Sequence, residues 1–548
     1  MPYLSLNGFT TVQQLLLLGG FLLFVASFIL HFQGKTRWAI GLLTLGGLCF
    51  FIFAAIVDPF LHSWDERFHA VVAKNCMDDP FAPKLYKEWV VEQYNPALWS
   101  HGYIWLHKQP LFLWQIALCF KLFGVSTFTL RLPSVLMATV MIPMVYRIGS
   151  ILIDRRLGYY AAVSVAFSWF LIDLVSGNGT VDHNNVCFVF YVTASLWAWL
   201  EYVHSGRKWE WMVLTALFSG CAVMTKWLTG LLVYLVWGCY LLSEYRFKLK
   251  DWKIGHFVVA VTITAALFLP WQIYTAKTFP DLYAWERGLQ SLHFTTDLEG
   301  HGETADFYLR TLPFLYIGDS KYWSGVSSAN AAWNAKRIFH LCLILGGLFL
   351  LIWRMKKWSH RIVLITTVLF VYGFFSLAAT KMPAYPFCIA AIGYLSLAMI
   401  LYECQGLAER FLHQSWVRGV VLGTVTAIFA LYQMNFAWLR NNHTDARDIR
   451  QVFIHNTQEM KSLNAMVPEK TWIFNVRGTE DWQVQCTSIE AMFFTDALCY
   501  PFPPTEEDLR RAKELGYHVA VLTSNEVPEY VLDSPEVQLI DMELYADY

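Results

Sequence analysis

Charge is scarce in this chain. Asp, Glu, Lys and Arg make up 15% of its 548 residues, where a soluble domain has about 25%, so its surface cannot be held in water. The formal net charge is only -1, and without a basic field nucleic-acid binding is set aside. There is no glycine-rich loop between a strand and a helix of the kind that cradles nucleotide phosphates, no internal repeat and no low-complexity tail. The first apolar run, Gln13 to Phe32, lacks a charged leader and a small-residue cleavage site, and a second run follows almost at once. It reads as a retained membrane helix rather than a signal peptide.

What the chain has in abundance is apolar sequence: 56% of it is hydrophobic and 17% aromatic. A helix needs about 20 apolar residues to span the hydrocarbon. Such runs occur at 13–32, 38–57, 132–153, 157–176, 185–203, 211–225, 228–243, 254–274, 337–353, 361–379, 384–402 and 417–438. The expected fold class is therefore an all-α polytopic membrane protein with about 12 transmembrane helices. Lys and Arg collect in short loops, at Lys35 and Arg37, Arg155 and Arg156, Arg207 and Lys208, Arg246 to Lys253, Arg354 to Arg361, and Arg410 with Arg418. By the positive-inside rule these face the cytoplasm. They alternate correctly only if the short stretch Leu111 to Gly124 does not cross, so it is expected to be a re-entrant or interfacial helix. Both termini, the first outer loop 58–131, the turn 176–185, the second large loop 276–336 and the turn 380–383 then lie outside.

After Arg440 charge becomes frequent. Thr471 to Val476, His518 to Thr523 and Val537 to Ile540 read as strands, and Thr505 to Leu515 as a helix with Thr505 as N-cap and Gly516 as terminator. The domain reading is thus a membrane catalytic domain, 1–439, and a small soluble α/β extracytoplasmic domain, 440–548. Most of the 11 cysteines lie in apolar runs as small buried hydrophobes. Cys486 and Cys499 share the watery segment, where a disulfide is one reading that no spacing rule supports.

The stretch His62-Ser63-Trp64-Asp65-Glu66-Arg67-Phe68-His69 follows directly on the apolar run that ends at Val57. With it, on the outer face, come His107 and Lys108, Asp182 and His183, Glu286, His293 and His301, and Lys381. A charged residue at a helix end often only solvates that end or snorkels. Ionisable groups at membrane depth are costly and usually functional, however, and these recur on one face. Glycosyl transfer from a lipid-linked donor needs such a set. A carboxylate takes the acceptor's proton, which Asp65 fits, and cations stabilise the departing phosphate. Lys108, Arg67, Lys381 or the loop histidines can supply the positive charge.

Four stretches also carry a resemblance: Trp64-Asp65-Glu66 after a membrane helix, His107-Lys108-Gln109-Pro110-Leu111, Leu122-Phe123-Gly124 leading to Arg131-Leu132-Pro133-Ser134, and Thr380-Lys381-Met382-Pro383-Ala384-Tyr385. In this order they resemble the C-type glycosyltransferase (GT-C) fold. Within it, Val57 to Leu401 looks most like the aminoarabinose transferases of lipid A and the related protein mannosyltransferases. The resemblance implies that Asp65 is the catalytic aspartate with Glu66 beside it, and that Asp182 is a second catalytic aspartate. Together with the residue reading above, which adds Arg67, it gives donor-phosphate contacts at Lys108, Arg67, Lys381 and His301, and substrate contacts at His107, His293 and Tyr385. No cofactor is certain, but a divalent metal is compatible, with Glu66, His107 and His293 as its candidate ligands. The chain departs from the family pattern at Gln109, which replaces a proline, at His107, which replaces an acid, and in the separation of Glu286 from His293.

The reading is an inverting glycosyltransferase in the cytoplasmic membrane with its site on the extracytoplasmic face. Its partners are a polyprenyl-phosphate-linked sugar donor, a lipid A, envelope glycan or protein acceptor, and membrane lipids. The alternatives are a transporter or flippase, expected to show internal repeats and midplane charges, and a polymerase or ligase of lipid-linked saccharides, expected to rely on outer-loop arginines.

Overall fold

In lipid a backbone has no water to bond, so apolar runs about twenty residues long must fold as helices. The computed structural model describes residues 6–88, 102–178, 182–245, 253–298, 300–318, 331–444, 448–478 and 484–545, with the backbone alone at 227, 331–334, 448 and 484–486. Gly179 to Val181, Arg246, Lys248, Lys250 and the Cys486 side chain lie outside the described residues. Within them, 11 helices are long and apolar enough to cross a membrane, so this is a multi-pass membrane protein. They match the expected runs with one exception. The run 211–225 does form a helix, Trp209–Lys226, but Glu210 and Lys226 at its ends and Thr215, Ser219 and Thr225 along it leave it too polar to be counted. The stretch expected not to cross is a helix of 14 residues, Pro110–Phe123.

By contact density the chain forms two compact units. The first comprises Met1–Ala54, Ser134–Val175 and Asn184–Leu439. Its core is the stretch 157–175, buried at every residue. Small residues make that burial fit: a Cβ on Gly158 would stand 2.3 Å from the Tyr146 carbonyl oxygen. Two polar groups of this core are bonded within it. The Ser168 hydroxyl pairs with that of Tyr394 at 2.8 Å, and the Trp169 indole donates to the Phe314 carbonyl at 2.8 Å. Helices Ala331–Arg354 and Ala390–Phe411 meet closely enough that a Cβ on Gly347 would lie 2.0 Å from the Ser396 carbonyl oxygen. Close backbone approach of this kind is how helices associate in lipid, where burial of apolar surface gives no drive.

The second unit comprises Ala55–Pro133, Ser176–His183 and Arg440–Tyr548. It holds the helix Asp65–Asn75 and a four-stranded, all-parallel sheet: β1 (Thr471–Phe474), β2 (Leu498–Cys499), β3 (His518–Leu522) and β4 (Val537–Ile540), in the order β2-β1-β3-β4. Ile473 pairs with Cys499 and Ala520, and Val521 with Leu539. β1 and the inner four residues of β3 are buried, as parallel strands covered on both faces require. The three expected strands are present; β2, only 2 residues long, gives no sequence pattern to detect. The expected helix begins one residue after its cap, at Glu506–Leu515, with Thr505 accepting from the Asp508 amide and Gly516 in the left-handed conformation. Cys499 is a free, buried thiol.

The Gly347 contact is directly testable. Gly347→Leu overpacks a backbone-to-backbone approach and is expected to cost about 1–3 kcal/mol, read as an earlier unfolding midpoint in detergent. An unchanged midpoint would show that these two helices are not in contact.

Candidate active site

Trp64 enters the Asp65–Asn75 helix with a positive φ of 66, unusual for a tryptophan. Asp65 and Glu66 then occupy the first turn, where the positive end of the helix dipole favours acids. Successive helical residues point about 100° apart, and three neighbours here take three different partners. Asp65 faces Lys108, Glu66 faces Arg131 and Arg67 faces Glu490.

Lys108 is the hub of the first group. Its ammonium lies 3.1 Å from an Asp65 carboxylate oxygen and donates a hydrogen bond of 2.8 Å to Asp182. Burial would lower the lysine pKa, but the Asp182 and then the Asp65 carboxylate outweigh it and raise it. The lysine is thus a fixed cation. Asp65 is its more exposed partner, 32% against 9% for Asp182. Of the two carboxylates Asp65 is the more open, while Asp182 is set back.

His69, one turn on from Asp65 and on the same face, joins this group. Single ligand atoms of Asp65, His69 and Asp182 lie within 4.8 Å of one another. His69 Nδ1 meets His183 Nε2 at 2.6 Å. One ring donates and the other accepts, so the pair cannot carry protons on both atoms. Burial also lowers both histidine pKa values, well below the ordinary value for His69, so both rings are neutral at pH 7.

Glu66 is a fixture. Its two oxygens take hydrogen bonds of 2.7 and 3.0 Å from Arg131 Nε and NH2, and one also accepts the His62 amide at 2.7 Å. Arg131 in turn donates to the carbonyls of Ala55, Asp58 and Phe60. Burial favours the neutral acid, yet the arginine charge and its hydrogen bonds hold the Glu66 pKa below its usual value. Glu66 is therefore not available as a metal ligand, contrary to expectation. Gly177, φ +79, lies against this carboxylate: a Cβ there would stand 2.0 Å from Glu66 Oε1.

Arg67 is a second correction. Expected at the donor phosphate, it is wholly buried and ion-paired with Glu490 at 2.7 Å. Within the other unit, the structure does bring Lys381, His301 and His293 together. The backbone amide of Lys381 donates to the His301 carbonyl and that of Thr380 to the His293 carbonyl. The Lys381 ammonium, however, donates to the carbonyls of Glu303 at 2.8 Å and Ala378 at 2.5 Å and is 5% exposed. It ties two loop segments together instead of presenting its charge. Tyr385 stands beside Lys226, whose ammonium lies 5.8 Å from the ring centre and donates to Asn185 at 2.6 Å. His107 is half-buried, edge-on to Trp105.

The sequence reading quotes His69 and Arg131 within its stretches but gives them no role, and it misses Glu490. His69 carries a signal in its four-residue spacing from Asp65, and Arg131 in its motif.

A family model described as dolichyl-phosphate-mannose-protein mannosyltransferase matches residues 107–274. Two undecaprenyl phosphate-alpha-4-amino-4-deoxy-L-arabinose arabinosyl transferases of Pseudomonas fluorescens are similar to the chain. One is 23% identical over 401 residues, covering 72% of this chain and 63% of the relative, and the other is 22% identical over 433 residues, covering 76% and 65%. The chain spans a little under two thirds of the length of these relatives. Among solved structures, ArnT from Cupriavidus metallidurans bound to undecaprenyl phosphate aligns with a TM-score of 0.56 at 14% identity, over 85% of this chain and 86% of that one. The Archaeoglobus fulgidus oligosaccharyltransferase in its apo form aligns with a TM-score of 0.50 at 12% identity, over 86% and 69%. The chain has the GT-C fold.

In this GT-C chain the Asp65, His69 and Asp182 set, two carboxylates and an imidazole, is a donor set a divalent cation accepts. Lys108 already engages the two carboxylates. Lys108→Ala is therefore expected to raise affinity for Mn²⁺ or Zn²⁺, measured by calorimetry on purified protein; no gain over the parent would show that the three residues do not converge. Removing one partner of the buried Glu66–Arg131 pair, as in Glu66→Gln, is expected to cost about 3–5 kcal/mol, measured as a lowered unfolding midpoint. An unshifted midpoint would mean the pair is not buried.

Proposed function

We propose that the protein is an inverting glycosyltransferase. It moves one sugar, a pentose or hexose, from a polyprenyl-phosphate carrier to a lipid A, envelope glycan or protein acceptor at the outer face of the cytoplasmic membrane. The observation that carries this reading is the Lys108 ammonium held between Asp65 and Asp182. The names of the similar proteins, undecaprenyl-phosphate sugar transferases and a dolichyl-phosphate-mannose-protein family, support the donor class.

In this mechanism the acceptor hydroxyl attacks the anomeric carbon from the face opposite the phosphate. The new carbon–oxygen bond forms as the bond to phosphate breaks, and the hydroxyl proton passes to Asp65. The departing group is polyprenyl phosphate, which takes the bonding electrons and gains negative charge. Lys108 meets that charge, because a preformed cation at a site of developing charge needs no reorganisation. Asp182 holds the ammonium in place. The neutral His69–His183 pair adds no competing positive charge beside Asp65. We assign the donor phosphate to neither Arg67 nor Lys381, since both cations are committed elsewhere.

Asp65→Asn keeps the side-chain shape and removes the base. It is expected to lower transfer by about two to four orders of magnitude while binding of polyprenyl phosphate persists. The assay is release of polyprenyl phosphate from a labelled polyprenyl-phosphate-linked sugar by protein in detergent. Transfer at the parental rate would sink the assignment.

A further inference from the structure

The Asp65–Asn75 helix is held along its length by groups from the C-terminal segment of its own unit. Near its start, Arg67 pairs with Glu490, both side chains at most 1% exposed. The other Glu490 oxygen accepts the Leu61 amide at 3.2 Å and the Thr457 hydroxyl at 3.4 Å. The Arg67 guanidinium also lies over the Phe453 ring, 5.8 Å from its centre. At the far end, the Lys74 ammonium donates to the carbonyls of Met492, Phe493 and Thr495 at 3.1, 3.2 and 2.5 Å. Met492 and Phe493 are the closing residues of the helix Val484–Phe494, so one cation caps the negative end of another helix. Just before the site helix, the buried Asp58 carboxylate takes His443 at 2.6 Å, Arg450 at 3.0 Å and His62 at 3.1 Å.

These ties have a geometric consequence. Arg67 is two residues from Asp65, about 3 Å along the helix axis, and Lys74 is about 13 Å along it. Anchors so placed fix both the rotation and the axial position of the helix. A buried ion pair contributes little net stability compared with a well-packed apolar pair, but it tolerates only a narrow geometry.

We propose that the C-terminal α/β segment is a positioning element for glycosyl transfer. Glu490, through Arg67, and the end of the Val484–Phe494 helix, through Lys74, set the register that places Asp65 beside Lys108. Glu490 is a positioning residue that touches neither substrate nor the reacting atoms. The inference rests on the proposed transferase reading and adds to it a task for the segment after Arg440.

The test uses full-length protein in detergent and a polyprenyl-phosphate-linked sugar whose transfer by the parent has been measured. A misplacement of about 1 Å costs up to about 100-fold in rate. Glu490→Gln is accordingly expected to lower kcat by about 10- to 100-fold, with KM for the donor and binding of polyprenyl phosphate unchanged. Glu490→Asp, which keeps the charge, recovers part of that loss. Lys74→Met, at the rim of the contact, is expected to lower kcat several-fold with the same unchanged KM, and it decides the matter if Glu490→Gln does not fold. Folded variants with parental kcat, or a loss seen in KM alone, would overturn the positioning role. A parent that transfers no sugar from any polyprenyl-phosphate donor would instead overturn the transferase reading.

Discussion

The site depends on one cation shared by two carboxylates. Without Lys108, Asp65 and Asp182 would face each other within 4.8 Å with no cation between them. With it, the two side chains share one positive charge, and Asp65 is the more exposed of the two. In the proposed mechanism the same ammonium meets the growing charge of the phosphate. The ion pair thus couples a base to a source of positive charge in one contact.

That contact requires a rigid frame, and the frame is built from the residues next to the base. Glu66 is bound to an arginine that also donates to three backbone carbonyls, and Arg67 is bound to a glutamate from the segment beyond Arg440. Each is committed to a buried partner. Both convert a polar stretch at the end of an apolar run into a helix with one permitted orientation. Gly177 belongs to the same frame, since any larger residue would occupy the Glu66 carboxylate's place.

The membrane helices were legible because hydropathy over twenty residues is a summed property that tolerates individual polar positions; Trp209–Lys226 fell outside it once polar residues became too dense. Asp65 was legible from its place at the end of such a run, and Lys108 from its place in a motif. The partners of Arg67 and Lys381 are not legible in the sequence, for a common reason. A sequence gives the sign of a charge but not what neutralises it, and their partners are a glutamate far along the chain and a set of backbone carbonyls. His183 was noted only as a neighbour of Asp182; its bond to His69 depends on the fold bringing two distant segments together.

The central claim is a single displacement in which Asp65 acts as base and neither carboxylate bonds to the sugar. The anomeric configuration of the product decides it most directly. Nuclear magnetic resonance of the product, set against the donor, is predicted to show inversion at the anomeric carbon. Retention would mean that a carboxylate attacks the sugar first, and it would contradict the account.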